Sequence, residues 1–260
     1  MQQNQRLNQF VQEIEHGLYG RTYTWEGKPE RVLDLGEVVV HAQPNFALVL
    51  CLCFTSPQIN QRLDHIIYQI EKHFVQRQLW VIGPHTQPAD LEARLTARGF
   101  TRKSELKGLV LEDLSLWSAN NPEVVVEPLS WENADAYAAM CSPDNNTARG
   151  AEQLLYAYRY LQSSPKEIHI FIARLEGRPA GYALLRLEPN GTANLCDAFT
   201  LPEARGRGVY LSLVAHRLAE ACKHGSTLAV TRANTRTSAP ILMKRGFTPI
   251  CSFFVFNNQK

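Results

Sequence analysis

The chain has no strong excess of either charge: 27 Lys and Arg stand against 25 Asp and Glu in 260 residues. With a net charge of +2 and basic clusters no longer than pairs such as Arg102-Lys103, the basic stripe of a nucleic-acid binder is absent. Long apolar runs are absent too. The longest, Phe46 to Phe54, has nine residues and is too short to span a bilayer. The polar start, Gln2, Gln3, Asn4, Gln5 and Arg6, leads into no apolar stretch of the kind a secretory signal needs. Six cysteines at 51, 53, 141, 196, 222 and 251 include no Cys-x-x-Cys pair, so neither a zinc framework nor a disulfide scaffold is supported. Reduced, mostly buried thiols in a cytoplasmic protein are expected. The hydrophobic fraction of 45% and charged fraction of 20% are those of a globular chain of one or two domains, with no membrane or nucleic-acid partner.

What is present is a regular alternation of helical and strand-like periods. Leu7, Phe10, Val11, Ile14 and Leu18 mark one helix, and Ile66, Ile67, Ile70 and Phe74 another. Strand-like runs lie at Val38–Val40, Phe46–Cys53, Leu79–Ile82 and Leu106–Leu111, with a short helix at Leu91–Ala97 between Asp90 as N-cap and Gly99 as stop. Ser115 to Pro122 (SLWSANNP) reads as a linker, which divides the chain into domains 1–114 and 124–260 with a connection at 115–123. The second half restarts with a strand at Val124–Val126 and helices at Trp131–Met140 and Ala151–Leu161. Three strands follow, Ile168–Leu175, Pro179–Leu187 and Ala193–Thr200, the last two joined by an Asn190-Gly191 turn. Helix Val209–Cys222, strand Leu228–Val230, helix Ala239–Arg245 and strand Cys251–Phe256 complete the chain.

Arg98-Gly99-Phe100-Thr101 recurs as Arg245-Gly246-Phe247-Thr248. Carried along the chain without gaps, that offset lays strand 47–53 on 194–200, helix 63–75 on 210–222, strand 79–82 on 226–229 and helix 91–97 on 238–244. Two copies of one α/β unit are therefore expected.

In the second copy, Arg205-Gly206-Arg207-Gly208-Val209-Tyr210 joins an apolar strand to an amphipathic helix. Glycines let the backbone turn tightly beside a ligand. The unpaired N–H groups of the following helix, its dipole and two guanidinium groups favour a phosphate or pyrophosphate. A P-loop needs a lysine that is not there, and a dinucleotide fingerprint needs glycine where Leu211 stands.

The remaining pattern, [QR]-x-x-G-x-[GA] after a strand, resembles the loop of the GNAT superfamily of N-acetyltransferases. Arg205 and Gly208 match, Tyr210 departs, and the likeness runs over roughly residues 124–258 to Lys244-Arg245-Gly246-Phe247. The resemblance implies an α/β (α+β) chain of two GNAT-like mixed-sheet domains in tandem. The first is degenerate, since Gln58-Ile59-Asn60-Gln61-Arg62-Leu63 replaces the loop and contains no glycine. It further implies acetyl-CoA as co-substrate, no metal, and a small-molecule or peptide amine acceptor, with direct transfer in a ternary complex by a monomer or homodimer. Cofactor contacts are expected at Ala198, Phe199, Thr200, Arg205, Gly206, Arg207, Gly208, Val209, Tyr210 and Asn234.

A backbone N–H near Ala198 is expected to polarise the acyl carbonyl, as Thr200 pairs with the pantetheine arm. Where some family members carry a glutamate and a tyrosine, this chain has Asn194 and Leu242. Asp197 is either a base or a surface residue, with water relayed to Asp197, Glu188 or His169 left open, and Tyr210 is one candidate for the general acid. Cys196 reads as a small core residue, Ser238 as a helix N-cap, and Trp80 and Trp131 as packing residues. Tyr156, Tyr158 and Tyr160 with Arg159 are either acceptor-lining or packing residues, and His216 and His224 are read as solvated. The alternative function is a non-catalytic acyl-CoA-binding or sensing module.

Overall fold

The computed structural model describes residues 2–19, 31–42, 47–50, 52–55, 57–73, 77–117, 121–142 and 147–258. In chain order the elements begin α1 (Gln2–Tyr19), β1 (Arg31–Asp34), β2 (Val39–Ala42), β3 (Ala47–Leu50), α2 (Ile59–His73), β4 (Gln78–Ile82), α3 (Leu91–Thr96) and β5 (Thr101–Leu111). They continue with β6 (Val124–Pro128), α4 (Ala134–Cys141), α5 (Thr147–Ser163), β7 (Ile168–Leu175), β8 (Arg178–Leu187) and β9 (Thr192–Thr200). The last are α6 (Val209–Lys223), β10 (Leu228–Asn234), α7 (Ser238–Met243) and β11 (Thr248–Asn257). No helix among the described residues is long and apolar enough to cross a membrane.

Two compact units result. The first comprises Met1–Thr22, Glu30–Leu109 and Arg232–Lys260, the second Tyr23–Pro29 and Val110–Thr231. This differs from a division at 115–123. The C-terminal segment packs with the first unit, where β11 lies between β4 and β5 in the strand order β1-β2-β3-β4-β11-β5. Phe256 supplies the reason, being buried in one cluster with Trp80, Val49, Leu63, Ile66, Ile70, Leu95 and Phe100. Spacing of three and four on α2 puts Leu63, Ile66 and Ile70 on one fully buried stripe. The proposed linker is also largely structured: Asp113 caps a short 3-10 turn at Leu114–Leu116, and Asn121 belongs to the second unit, whereas 118–120 fall outside the described residues.

The second unit carries the order β10-β9-β8-β7-β6, antiparallel except for the parallel β9–β10 pair. Ile168, Ile170 and Ile172 turn one face of the sheet to Tyr137, Met140 and Ala157 of α4 and α5. The other face receives α6, whose Leu213, Val214 and Leu218 are buried. Left-handed backbone at Glu176-Gly177 (φ 53° and 75°) and at Gly191 (φ 84°) makes the two hairpins tight.

The same sequence of elements occurs twice, but not in one gapless register. α3 and α7 begin at 91 and 238, as the tetrapeptide offset requires, while α2 and α6 begin 150 residues apart, at Ile59 and Val209. Cysteine burial is also mixed: Cys141 is buried, Cys196 and Cys251 half-buried, Cys53 and Cys222 exposed. Cys51 lies outside the described residues.

Candidate active site

The site is built on β9 of the second unit. Against β8, β9 runs in register from Ala193 to Cys196, opposite Leu187 to Leu184, and then slips so that Ala198 faces Ala183. Asp197 is the extra residue of a β-bulge. Such a residue is left out of the ladder and re-aims its side chain, so simple alternation does not govern Asp197. Asp197 and Ala198 are both exposed.

Two polar side chains take up carbonyls beside the bulge. Arg217 of α6, 2% exposed, donates from one Nη to Leu184 O (3.1 Å) and Cys196 O (2.9 Å), and from Nε to Leu213 O (3.1 Å). Burial lowers its pKa, opposed by its electrostatic interaction with Tyr210, Cys196 and Asp197. On the other edge, the parallel ladder with β10 covers only Thr192–Asn194 against Leu228–Val230. Thr231 Oγ1 then donates to Leu195 O at 2.8 Å. Beyond this point β9 has no registered partner on the β10 side, and Thr200 Oγ1 is buried without a hydrogen-bond partner among the described residues. An open strand edge with an orphaned buried hydroxyl is a place for a ligand that hydrogen-bonds as a strand does.

β9 leads through Leu201 and a 3-10 turn at Pro202–Ala204 into the glycine loop. Gly206 (φ 75°) and Gly208 (φ 83°) are left-handed, and Gly208 is the N-cap of α6 with no side-chain cap. A Cβ at Gly208 would come within 3.1 Å of Asn121 Cβ, whose Nδ2 donates to Arg207 O at 2.8 Å. The first helical bond runs from Ser212 N to Gly208 O (2.9 Å), so the earlier N–H groups of the helix face outward with the positive end of its dipole. Arg205 is exposed, its Nε 3.4 Å from Thr200 O. Arg207 is instead engaged by carboxylates, paired with Glu176 and 3.9 Å from Glu123. Of the two loop guanidiniums, Arg205 has no carboxylate partner among the described residues.

An aromatic layer lies on the α4–α5 face. Tyr182 of β8 meets Phe199 at 5.8 Å and Tyr137 at 5.2 Å between ring centroids, and Tyr137 stacks on Tyr156. Burial pushes the Cys141 thiol up to about 11 and raises the Tyr182 and Tyr137 phenols, so all three remain protonated at neutral pH. Sequence reasoning did not single out Arg217, Thr231 or Tyr182. An arginine at an otherwise apolar position of an amphipathic helix was the available signal for the first.

Other expectations fare unevenly. Glu188 is buried and paired with Arg186 Nε at 2.7 Å. His169 stacks on Phe171 and lies by Glu220 and His224, and is not brought to Asp197. Asn234 falls in the first unit, where its Oδ1 accepts from Arg236 N–H (2.9 Å). Ser238 is the first residue of α7 and not its cap; its Oγ accepts from Asn234 N–H (3.0 Å). Asn194 and Leu242 are fully buried core residues. Trp80 is core, but Trp131 is 53% exposed and rests on Tyr158. Tyr156, Tyr158 and Tyr160 pack against the α4–α5 core, and Tyr160 donates to Ile168 O at 3.0 Å. His224 is exposed, while His216 is half-buried against Phe171. A cavity of about 270 Å³ lined by Trp117, Val126, Ser212 and His216 includes no residue of the loop or of β9.

A mixed sheet whose bulged strand leads through a glycine loop to an uncapped helix start is an α/β arrangement suited to holding an anionic ligand. Residues 131–247 match the acetyltransferase (GNAT) family and carry a domain of that family. Among solved structures, a tandem GNAT protein from the clavulanic acid biosynthesis pathway superposes with a TM-score of 0.60 at 14% identity, covering 98% of this chain and 94% of its own. A GCN5-related N-acetyltransferase from Kribbella flavida gives 0.59 at 16% identity over 89% and 90%. A functionally unknown conserved protein from Staphylococcus epidermidis gives 0.64 at 14% identity over 90% and 95%. No curated protein sequence matches the chain. The chain thus has a tandem GNAT-like architecture, and this fold supports acyl transfer.

Proposed function

We propose that the second unit binds acetyl-CoA along β9 and the loop and transfers its acyl group to a primary amine of a small molecule or peptide. The observation that carries this reading is the joining of the bulge at Asp197 and the open edge of β9 to an uncapped helix start at Gly208. Residues fit the cofactor on two counts: the left-handed Gly208, crowded by Asn121, presents bare backbone at the helix start, and Thr200 Oγ1 awaits a partner. The N–H groups of Val209 and Tyr210, with Arg205 and the Gly206–Gly208 backbone, would hold the diphosphate, and Phe199 and Thr200 the pantetheine arm. The bound thioester supplies an activated acyl group.

The chain's own residues supply the rest. An alkylammonium with a pKa near 10.4 must lose a proton before it can attack, and the exposed Asp197 carboxylate takes it up. The Ala198 backbone N–H receives charge developing on the acyl oxygen, a contribution on the order of 3 kcal/mol for one positioned donor. Tyr210 returns a proton to the departing sulfur. Free-thiol release across a panel of primary amines, with coenzyme A binding measured by calorimetry, tests the assignment. Turnover that Asp197→Asn and Tyr210→Phe each lower supports it. Tight binding with no thiol release from any amine would leave the sensing module as the function.

A further inference from the structure

At the other end of α6, three side chains of the second unit converge away from the loop. Glu220 and His224 are one turn apart near the helix C-terminus, and His169 of β7 lies beside them, its ring centroid 5.1 Å from that of His224. One possible ligand atom from each lies within 4.8 Å of the other two. Glu220 Oε1 is 3.4 Å from His224 Nε2, while its Oε2 accepts from Lys223 Nζ at 2.9 Å.

The orientation of His169 points to a ligand. Its Nε2 is buried and has no hydrogen-bond partner among the described residues. An orphaned buried nitrogen costs stability unless something takes its lone pair. Two imidazoles and one carboxylate suit a borderline divalent ion such as Zn2+, Co2+ or Ni2+ far better than Ca2+ or Mg2+.

We propose that His169, Glu220 and His224 form a three-ligand site for a divalent transition metal, zinc-like in preference. The remaining coordination falls to water. His216, one turn before Glu220, is outside the three-atom group and flanks it. Fifteen residues of α6 extend about 22 Å, so the metal ties the last turn of the helix to β7 and stands apart from the acyl site.

The test uses the full-length chain without a histidine tag, in metal-free buffer, titrated with Co2+ and then Zn2+ by calorimetry and visible absorption. Expected are one equivalent of Co2+, d–d bands without thiolate charge transfer, and displacement by Zn2+. His169→Gln and His224→Ala should each weaken binding at least about tenfold, while His65→Ala, on the exposed face of α2, changes nothing. Circular dichroism monitors folding of each variant, and the exposed His224 keeps the test available if His169→Gln does not fold. Thiolate charge transfer, no uptake of either ion below millimolar concentration, or equal affinity in the His224 variant would overturn the site.

Discussion

The two strand-to-helix junctions, β3–α2 in the first unit and β9–α6 in the second, share their order of elements and differ in what chemistry they allow. β3 pairs with β2 through four consecutive residues without a slip, from Val39–Leu50 to Ala42–Ala47. α2 starts without glycine, and its first turn is occupied by its own protein: Asn60 Oδ1 accepts from Arg94 (2.9 Å), Asn60 O from Arg98 (3.2 Å), and Arg98 pairs with Asp64 at 2.6 Å. Ile67, 150 residues before Arg217, packs against an apolar core. In the second unit the slip, the glycine and the buried arginine occur together. The arginine accounts for the association, since a bulge turns carbonyls out of the ladder and these need a donor when buried.

The largest effect should come from closing the loop of the second unit. Gly208→Leu meets both a left-handed φ and Asn121, and should weaken coenzyme A binding more than about 100-fold by calorimetry, with about 1–3 kcal/mol of strain. Gln61→Leu, exposed at the first turn of α2, should leave binding as it was; a similar loss there would erase the contrast between the junctions.

Arg217→Met keeps the volume and removes the side-chain donors to the carbonyls of Leu184 and Cys196. Relief of the buried charge offsets part of that cost, and a net loss of about 2 kcal/mol in urea denaturation is expected. Turnover should fall about tenfold or more while coenzyme A affinity changes little, because the bulge lies at the reacting end of β9. The counterpart Ile67→Met should cost under about 1.5 kcal/mol and leave turnover unchanged.

Cys141 sharpens the comparison through pH. Burial raises its folded pKa to about 11 from an ordinary value of 9.0, so its stabilising contribution is complete below pH 9 and is lost as pH rises through 11. A decline of about 2 kcal/mol across that window should be smaller in Cys141→Ala. In the first unit Cys251, raised to about 12, gives way at higher pH. Thr231→Val should have the smallest effect, about 1 kcal/mol for the bond to Leu195 O, with a few-fold rise in KM for the thioester.

Much of the second unit was legible because its signals are local. Asn190-Gly191 predicts a hairpin and Gly191 is left-handed at its turn; Gly206 and Gly208 predict a ligand-facing turn before a helix, and α6 begins at Val209. β1 escaped notice, four residues of mixed polarity (RVLD) without a clear period. The bulge depends on how β8 lies against β9, and its arginine comes from a helix 21 residues beyond Cys196. Alternation along β9 alone therefore misdirects Asp197. Likewise, His169 meets Glu220 and His224 only once β7 and α6 are packed, and no spacing within either segment announces it.

Local backbone chemistry, then, was written in the order of residues: where the chain turns, which stripes are apolar, and which helix begins on glycine. Folding in three dimensions decided which strand slips, which guanidinium fills the gap, and that β11 joins the first unit beside β4. Periodicity specifies a face to be buried but not the surface that buries it, and hydrogen-bond donors serve whichever carbonyls packing leaves unpaired.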